Sequence, residues 1–338
     1  MNRTGATLPD PNASAGIDRV GERAPRERRR ERRFEFGREL EADGRWVRQE
    51  SAFRRWVTAD GSSGLPAVAG RYHLYVSLCD PWSHRSVIVR RLLGLENAIG
   101  ISYLDPYRDH RGWAFTGGDF ADDANGFSFL SEAYETTRPG YDARVSVPVL
   151  WDKDTRRIVS NESGEIMRML ETEFEAFAMR EADLYPAPLR EEIDALNETI
   201  YENVNNGVYT AGFTTRQDVY EQAFEKLFAA LDQLEERLAS SRYLTGDAPT
   251  EADWRLFVSL VRFDAVYHML FKCNRRRIVD YPNLWGYTRD LYQQPLIAAT
   301  VAIDQIKSHY YTTHEKVNPS RIVPLGPTLD FLAPHGRG

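Results

Sequence analysis

The apolar pattern of this 338-residue chain changes period once, near Pro186 and Pro188, and that change constrains the fold more than any other feature. Before it, residues 71–178 alternate short apolar runs with helical stretches, the rhythm of an α/β unit. Beyond it, Leu189–Gly207 and Asp218–Leu238 carry apolar residues three and four apart, the mark of amphipathic helices. A small α/β domain followed by an all-helical one is the architecture this order predicts.

Within the α/β part, Tyr72–Leu78 reads as a strand that breaks at Cys79-Asp80-Pro81 and feeds a helix over Pro81–Leu93, with Gly94 as its C-terminal cap. Ile99–Leu104 reads as the second strand. The Gly/Asp/Asn-rich loop from Asp105 to Arg144 is too long for a simple connector, and loops of that kind usually carry function. Val145–Trp151 resumes as a strand with Arg157–Ser160 as its hairpin partner, and Pro148 within it marks an edge or a bend. Asn161-Glu162-Ser163-Gly164 opens a helix running through Phe174. Further on, Thr250-Glu251-Ala252-Asp253 has the form of a capping box and starts a helix over Trp254–Met269; another follows over Leu284–Tyr292. The expected divisions are a disordered basic arm at 1–33, an irregular lead-in at 34–70 packed on the first domain, the α/β domain at 71–178, the helical domain at 185–317 and an irregular tail at 318–338.

Bulk properties exclude several classes. No apolar run approaches the ~18 residues that cross a bilayer, and the first residues lack the apolar segment of a secretory signal. Two cysteines rule out a disulfide framework and predict a cytoplasmic setting. A net charge of −7 argues against nucleic acid as a partner; the arginine run at 26–33 is interleaved with glutamate and reads as a solvated tail or a basic arm. The histidines show no metal-ligand spacing and no Gly-rich phosphate loop occurs, so neither metal nor nucleotide is expected.

Four groups carry candidate chemistry, each with a plainer alternative. Cys79 at a strand-to-helix junction is either a nucleophile activated by the helix N-terminus or a buried, inert strand end. The pair Asp80-Pro81 accounts for the helix start without it, Asp as N-cap and Pro at the first helical position. The Glu162-Ser163 turn either holds a ligand carboxylate on its backbone N–H groups or simply caps its helix. Trp113 either walls a pocket or anchors the long loop. Tyr209 and Tyr310 are either donors to the oxyanion of a phenolic substrate or two more structural tyrosines among seventeen.

Taken together, the motifs resemble one family. Tyr72–Leu78, Pro81-Trp82-Ser83-His84-Arg85, Gly112-Trp113-Ala114-Phe115, Val147-Pro148-Val149-Leu150-Trp151-Asp152 and Asn161-Glu162-Ser163 in the first half are similar to those of the glutathionyl-hydroquinone reductases, the Xi class of glutathione transferases. In the second half Val204-Asn205-Asn206-Gly207-Val208-Tyr209, Glu251–Phe257, Phe271-Lys272-Cys273-Asn274, Asp280–Trp285 and His309-Tyr310-Tyr311 continue the resemblance, in order, from about Phe34 to Phe331. It implies a thioredoxin-like N-terminal domain with Pro148 as the cis-proline, and an all-α C-terminal domain that supplies the substrate pocket and a homodimer interface. It also implies glutathione as co-substrate, held by Trp113, Val147, Glu162 and Ser163, and a hydroquinone facing Tyr209 and Tyr310. The implied activity removes glutathione from glutathionyl-hydroquinones through a mixed disulfide on a protein cysteine.

Two departures qualify the resemblance. The family motif is Cys-Pro-Trp-Ala-His-Arg; here Asp80 stands before Pro81, and Cys79 lies one residue earlier. Stepping one residue along a strand end turns a side chain to the other face. A carboxylate at Asp80 would repel a glutathione thiolate by ~1 kcal/mol or more, depending on the local dielectric. Met269-Leu270 replaces the family's Gly-His. Two functional expectations follow: a Xi-type transferase or reductase with Cys79 recruited as the thiol, or a protein of the same fold without that thiol, binding or conjugating aromatic ligands.

Overall fold

The computed structural model describes residues 39–337, and the arginine-rich arm at 1–33 lies outside them. The described chain divides into two compact units, residues 49–179 and residues 39–48 with 180–337.

The first unit is built on a four-stranded sheet of order β2-β1-β3-β4. β1 (Tyr72–Val76) and β2 (Ile99–Tyr103) pair in parallel, with α1 (Pro81–Leu92) as the crossover between them. β3 (Val149–Asp152) runs antiparallel to β1, and β4 (Arg157–Ser160) antiparallel to β3. Every residue of β1 is buried, as expected of a central strand covered on both faces. Asp80 caps α1 by accepting the Ser83 amide at 2.8 Å, Pro81 occupies the first turn, and Gly94 follows the helix in the left-handed region at φ 67°. The lead-in covers the outer edge of β4, where Arg54 bridges Ser160 and the Arg55 amide donates to Val159 at 2.9 Å. The strand expected over Val145–Trp151 begins only at Val149, because the Val147–Pro148 peptide is cis and Pro148 has no N–H for a ladder.

The long loop is internally bonded rather than open. Asp122 accepts from the amides of Ala124, Asn125 and Phe127, and Thr116 donates to Asp105 at 2.8 Å. It ends in α2 (Ser131–Thr137), followed after β4 by α3 (Ser163–Thr172), which packs on α1.

The second unit contains α4 (Arg190–Ile200), α5 (Gly207–Phe213), α6 (Gln217–Leu238), α7 (Glu251–Arg262), α8 (Pro282–Gln293) and α9 (Ile303–Thr313). Two π-helical turns interrupt it: Tyr201–Asn205 before α5 and Phe263–Tyr267 after α7. The Thr250–Asp253 box is present, with the Thr250 amide donating to Asp253 at 2.7 Å. Residues 39–48 belong to this unit, whereas the lead-in was expected on the first domain; the difference comes from the Gly44 carbonyl, which accepts from Thr214 Oγ1 at 2.8 Å and from the Thr215 amide at 3.1 Å. The tail is tied down by Arg337, which donates to the carbonyls of Leu238, Ser241 and Arg242, and by Phe331 stacked on Tyr292. Among the described residues no helix is long and apolar enough to cross a membrane, and no cluster of three metal-ligating side chains occurs.

Candidate active site

In the first unit the chain between β4 and α3 forms a built turn. Glu162 caps α3, accepting from the Gly164 amide at 3.3 Å, while its other carboxylate oxygen takes the Ser51 hydroxyl at 2.9 Å. The Glu162 amide donates to Ser160 Oγ at 3.1 Å. Ser163 is buried in the first turn of α3, and its Oγ lies 3.5 Å from the guanidinium of Arg85. Arg85 is itself buried and stacks on Trp82 with its central carbon 4.6 Å from the ring. The guanidinium adds a full positive charge to the partial one of the helix N-terminus, and the Glu162 carboxylate sets a negative charge beside it, so the corner presents groups for both a carboxylate and an amino group.

A second network ties that turn to the cis peptide. The Asn161 side-chain amide donates to Tyr134 Oη and to Ser146 Oγ, both at 3.1 Å. Tyr134 donates in turn to the Ser146 carbonyl at 2.7 Å and accepts its amide at 3.1 Å. Burial raises the Tyr134 phenol, which keeps it protonated and a donor. Val147 follows directly and is buried, so its backbone and the Glu162 turn are fixed with respect to each other. Tyr134, Ser146 and Ser51 were not among the residues singled out from the sequence; only the Asn161 side chain hints at such a network. Trp113 is buried in the long loop under the Arg108 guanidinium, 5.3 Å from its ring, and its carbonyl accepts the Leu130 amide at 3.0 Å.

The junction at 79–80 has a definite geometry. Ser77–Asp80 close a turn through the Asp80 amide and the Ser77 carbonyl at 3.1 Å. Within it Cys79 has 0% exposure, and its Sγ lies 3.1 Å from Ser77 Oγ. Asp80 is half-buried and holds the helix cap already described. Ser83 is buried, and its Oγ has no hydrogen-bond partner among the described residues. The other cysteine, Cys273, is a buried thiol pushed up to about 12 by burial.

In the second unit three phenols converge. Tyr209 on α5 and Tyr310 on α9 bring their hydroxyls to 2.5 Å. Tyr267, at the end of the π turn after α7, lies 3.5 Å from Tyr209 Oη and 3.3 Å from Tyr310 Oη. π-Helical turns recur at functional sites because one extra residue re-aims the side chains that follow. Tyr267 was not singled out from the sequence, and a helical period cannot register a one-residue insertion. Phe271 packs against Tyr209 with centroids 5.7 Å apart, in space left by Gly212, where a Cβ would fall 2.3 Å from Phe271 Cγ. Three hydroxyls in mutual contact on an apolar floor form a donor cluster suited to the oxygen of a phenol or quinol. Of the Met269-Leu270 pair, Met269 is exposed and Leu270 is buried.

Comparison with known proteins gives the same outline. The N-terminal domain family of glutathione S-transferases matches residues 81–173, and the corresponding C-terminal domain family matches residues 217–290. The chain is 48% identical over 303 residues to glutathionyl-hydroquinone reductase YqjG of Escherichia coli, spanning 87% of this chain and 92% of that protein. The glutathione-bound structure of YqjG superposes with a TM-score of 0.83, covering 87% of this chain and 97% of the other. Glutathionyl-hydroquinone reductase PcpF of Sphingobium chlorophenolicum is 48% identical over 286 residues, 84% of this chain and 90% of that protein. The Xi-class glutathione transferase of Natrialba magadii is 50% identical with a TM-score of 0.83, covering 87% of this chain and 95% of the other.

Proposed function

We propose, from the fact that this chain belongs to the glutathionyl-hydroquinone reductases, the Xi class of glutathione transferases, that it acts with glutathione on glutathionyl-hydroquinones or related aromatic conjugates. The observation that carries this reading is the pair of prepared sites: a corner of opposite charges at Glu162–Ser163 over buried Arg85, and a three-phenol cluster at Tyr209, Tyr267 and Tyr310. Glutathione binds through its γ-glutamyl end at Glu162 and Ser163, with Val147 offering backbone to the tripeptide and Trp113 beside it. Tyr209 and Tyr310 hydrogen-bond the hydroquinone oxygen. The protein works as a cytoplasmic homodimer; its two cysteines form no disulfide, which fits a reducing compartment.

In the reductase route a thiolate attacks the glutathionyl sulfur. A disulfide bond forms, the carbon–sulfur bond breaks, the aryl carbon takes up a proton and the hydroquinone leaves. A second glutathione thiolate then attacks the mixed disulfide, releasing glutathione disulfide and the original thiolate. Cys79 is the thiol nearest the position this route requires, and it must leave its contact with Ser77 to serve. Its burial, with Asp80 in the capping position, favours a second reading: a family member that binds or conjugates aromatic ligands without a protein thiol. Chromatographic assay of hydroquinone release from a glutathionyl-hydroquinone by wild type and Cys79→Ser separates the two. Turnover abolished in Cys79→Ser supports the mixed-disulfide route; equal turnover, or none in either protein, removes Cys79 from the mechanism.

A further inference from the structure

Trp46 lies on the hairpin at 39–48, far in sequence from every other residue of the phenol cluster, yet it is part of that cluster. Its ring stacks on Tyr209 with centroids 5.8 Å apart and an interplanar angle of 27°, and it lies 6.2 Å from Phe213. Only 7% of the residue is exposed, and the indole Nε1 has no hydrogen-bond partner among the described residues. A buried donor left unsatisfied is costly, and each one calls for an explanation; at Trp46 the donor lies beside the phenol cluster.

The hairpin holding Trp46 is fixed at both levels. Its own bonds run from the Glu41 amide to the Arg45 carbonyl at 2.8 Å and from the Val47 amide to the Glu39 carbonyl at 2.7 Å. It docks immediately after α5, the helix of Tyr209, through the two hydrogen bonds that the Gly44 carbonyl accepts from Thr214 and Thr215. Gly44 has φ +84°, and a Cβ there would fall 2.5 Å from Thr215 Oγ1, so this approach requires glycine. The stack is therefore positioned by a dedicated contact and is not loose packing of a chain end.

We propose that Trp46 is a ligand-binding residue of the quinol site, stacking beside Tyr209 and donating its indole N–H to an oxygen of the aromatic ligand. The proposal deepens the reading above and rests on it. The ligand class is a phenol, hydroquinone or quinone: a flat ring with an oxygen acceptor, which takes the Trp46 N–H together with the phenol cluster. The hairpin preceding the first unit then has a functional task in the second.

The test is Trp46→Phe in the full chain, read by isothermal titration with 1,4-hydroquinone and, separately, with glutathione, alongside thermal denaturation. Phenylalanine keeps an aromatic face but removes the N–H together with the second ring. The expected result is hydroquinone affinity reduced about 3- to 10-fold, the range of one hydrogen bond. Thermal stability without ligand should fall by less than binding does, because removing an unsatisfied buried donor offsets part of the cavity left by the smaller ring. That inequality is a signature a purely structural role does not produce. Unchanged hydroquinone affinity, or a fall in unliganded stability equal to the fall in binding, overturns the proposal. Glutathione affinity is expected to stay unchanged. If wild type binds glutathione but no hydroquinone, both this inference and the quinol assignment fail; if it binds hydroquinone but no glutathione, only the glutathione assignment fails.

Discussion

Replacing Asp80 by cysteine is the most informative single change, because the structure shows what the aspartate now does. Its carboxylate accepts the Ser83 amide at 2.8 Å and caps α1. Losing a cap of this kind costs about 1 kcal/mol, which lowers the melting temperature by about 1–2 °C for a chain of this length unfolding as one unit. One gain opposes that loss. A thiol at a helix N-terminus titrates well below the usual ~8.5 and is largely thiolate at neutral pH. Removing the negative charge altogether, as asparagine does, removes a repulsion of about 1 kcal/mol toward a glutathione thiolate, equivalent to about fivefold in affinity. Asp80→Asn is the matched control, since asparagine caps as well as aspartate but carries neither charge nor thiol.

Three measurements are made on each protein: glutathione affinity by calorimetry, hydroquinone release from a glutathionyl-hydroquinone, and melting temperature. Asp80→Asn should bind glutathione about fivefold more tightly than wild type, whereas Asp80→Cys, whose thiolate keeps a negative charge at this position, should bind it about as wild type does. Only Asp80→Cys should gain reductase turnover, by at least about tenfold, with a pH–rate profile whose lower limb lies below the free-thiol range. If Asp80→Asn binds glutathione more tightly but Asp80→Cys gains no turnover, Asp80 does not occupy the nucleophile's place. If Asp80→Asn does not bind more tightly, the carboxylate does not face the thiol at all.

Two further outcomes test the scaffold. His73 is buried against Ser102, with Nε2 and Oγ 2.8 Å apart, and burial pushes its imidazole down to about 4 from the usual 6.5. The unfolded chain therefore binds the extra proton first: the contribution is fully present above pH 6.5 and is lost as pH falls toward 4, by about 3 kcal/mol in all. Denaturant titrations should show a shallower loss for His73→Gln over that window, and an identical slope would contradict the argument. Gly212→Ala places a Cβ 2.3 Å from Phe271 Cγ, so it should cost about 1–3 kcal/mol and weaken hydroquinone binding while glutathione affinity is retained. Unimpaired hydroquinone binding by a Gly212→Ala protein would show that the Phe271 floor is not needed.

Much of the fold was legible because the signals were strong and local. The apolar run at β1, the Asp80-Pro81 start and Gly94 stop of α1, and the Thr250–Asp253 box are each decided by a few adjacent residues. α2 escaped notice because it is short and lacks an apolar stripe, although Glu132 reaches back to the amides of Ser128 and Phe129. The two π turns escaped because a 3.6-residue period runs through them with a single slip. The lead-in at 34–70 shows no clear period and is expected on the first domain, but residues 39–48 are held in the second unit by Thr214 and Thr215, about 170 residues away.

The site divides along the same line. Glu162 and Ser163 could be read as a helix start, but nothing in their spacing says that a buried arginine from α1 lies beneath them. Tyr209 and Tyr310 stand out as candidate phenolic donors, a role the resemblance strengthens; that their hydroxyls touch depends on a separation of 101 residues. At the junction, strand alternation was the only available argument for the direction of Cys79. The structure replaces it with a turn, in which the Asp80 amide closes on Ser77 and the Cys79 side chain folds back onto Ser77 Oγ. For Cys79 to act, that turn must open, and opening it breaks the bond that positions the Asp80 cap. Activation of the thiol and integrity of the α1 start are therefore in competition. In the family motif the two demands fall on one residue, because the cysteine itself stands at the cap.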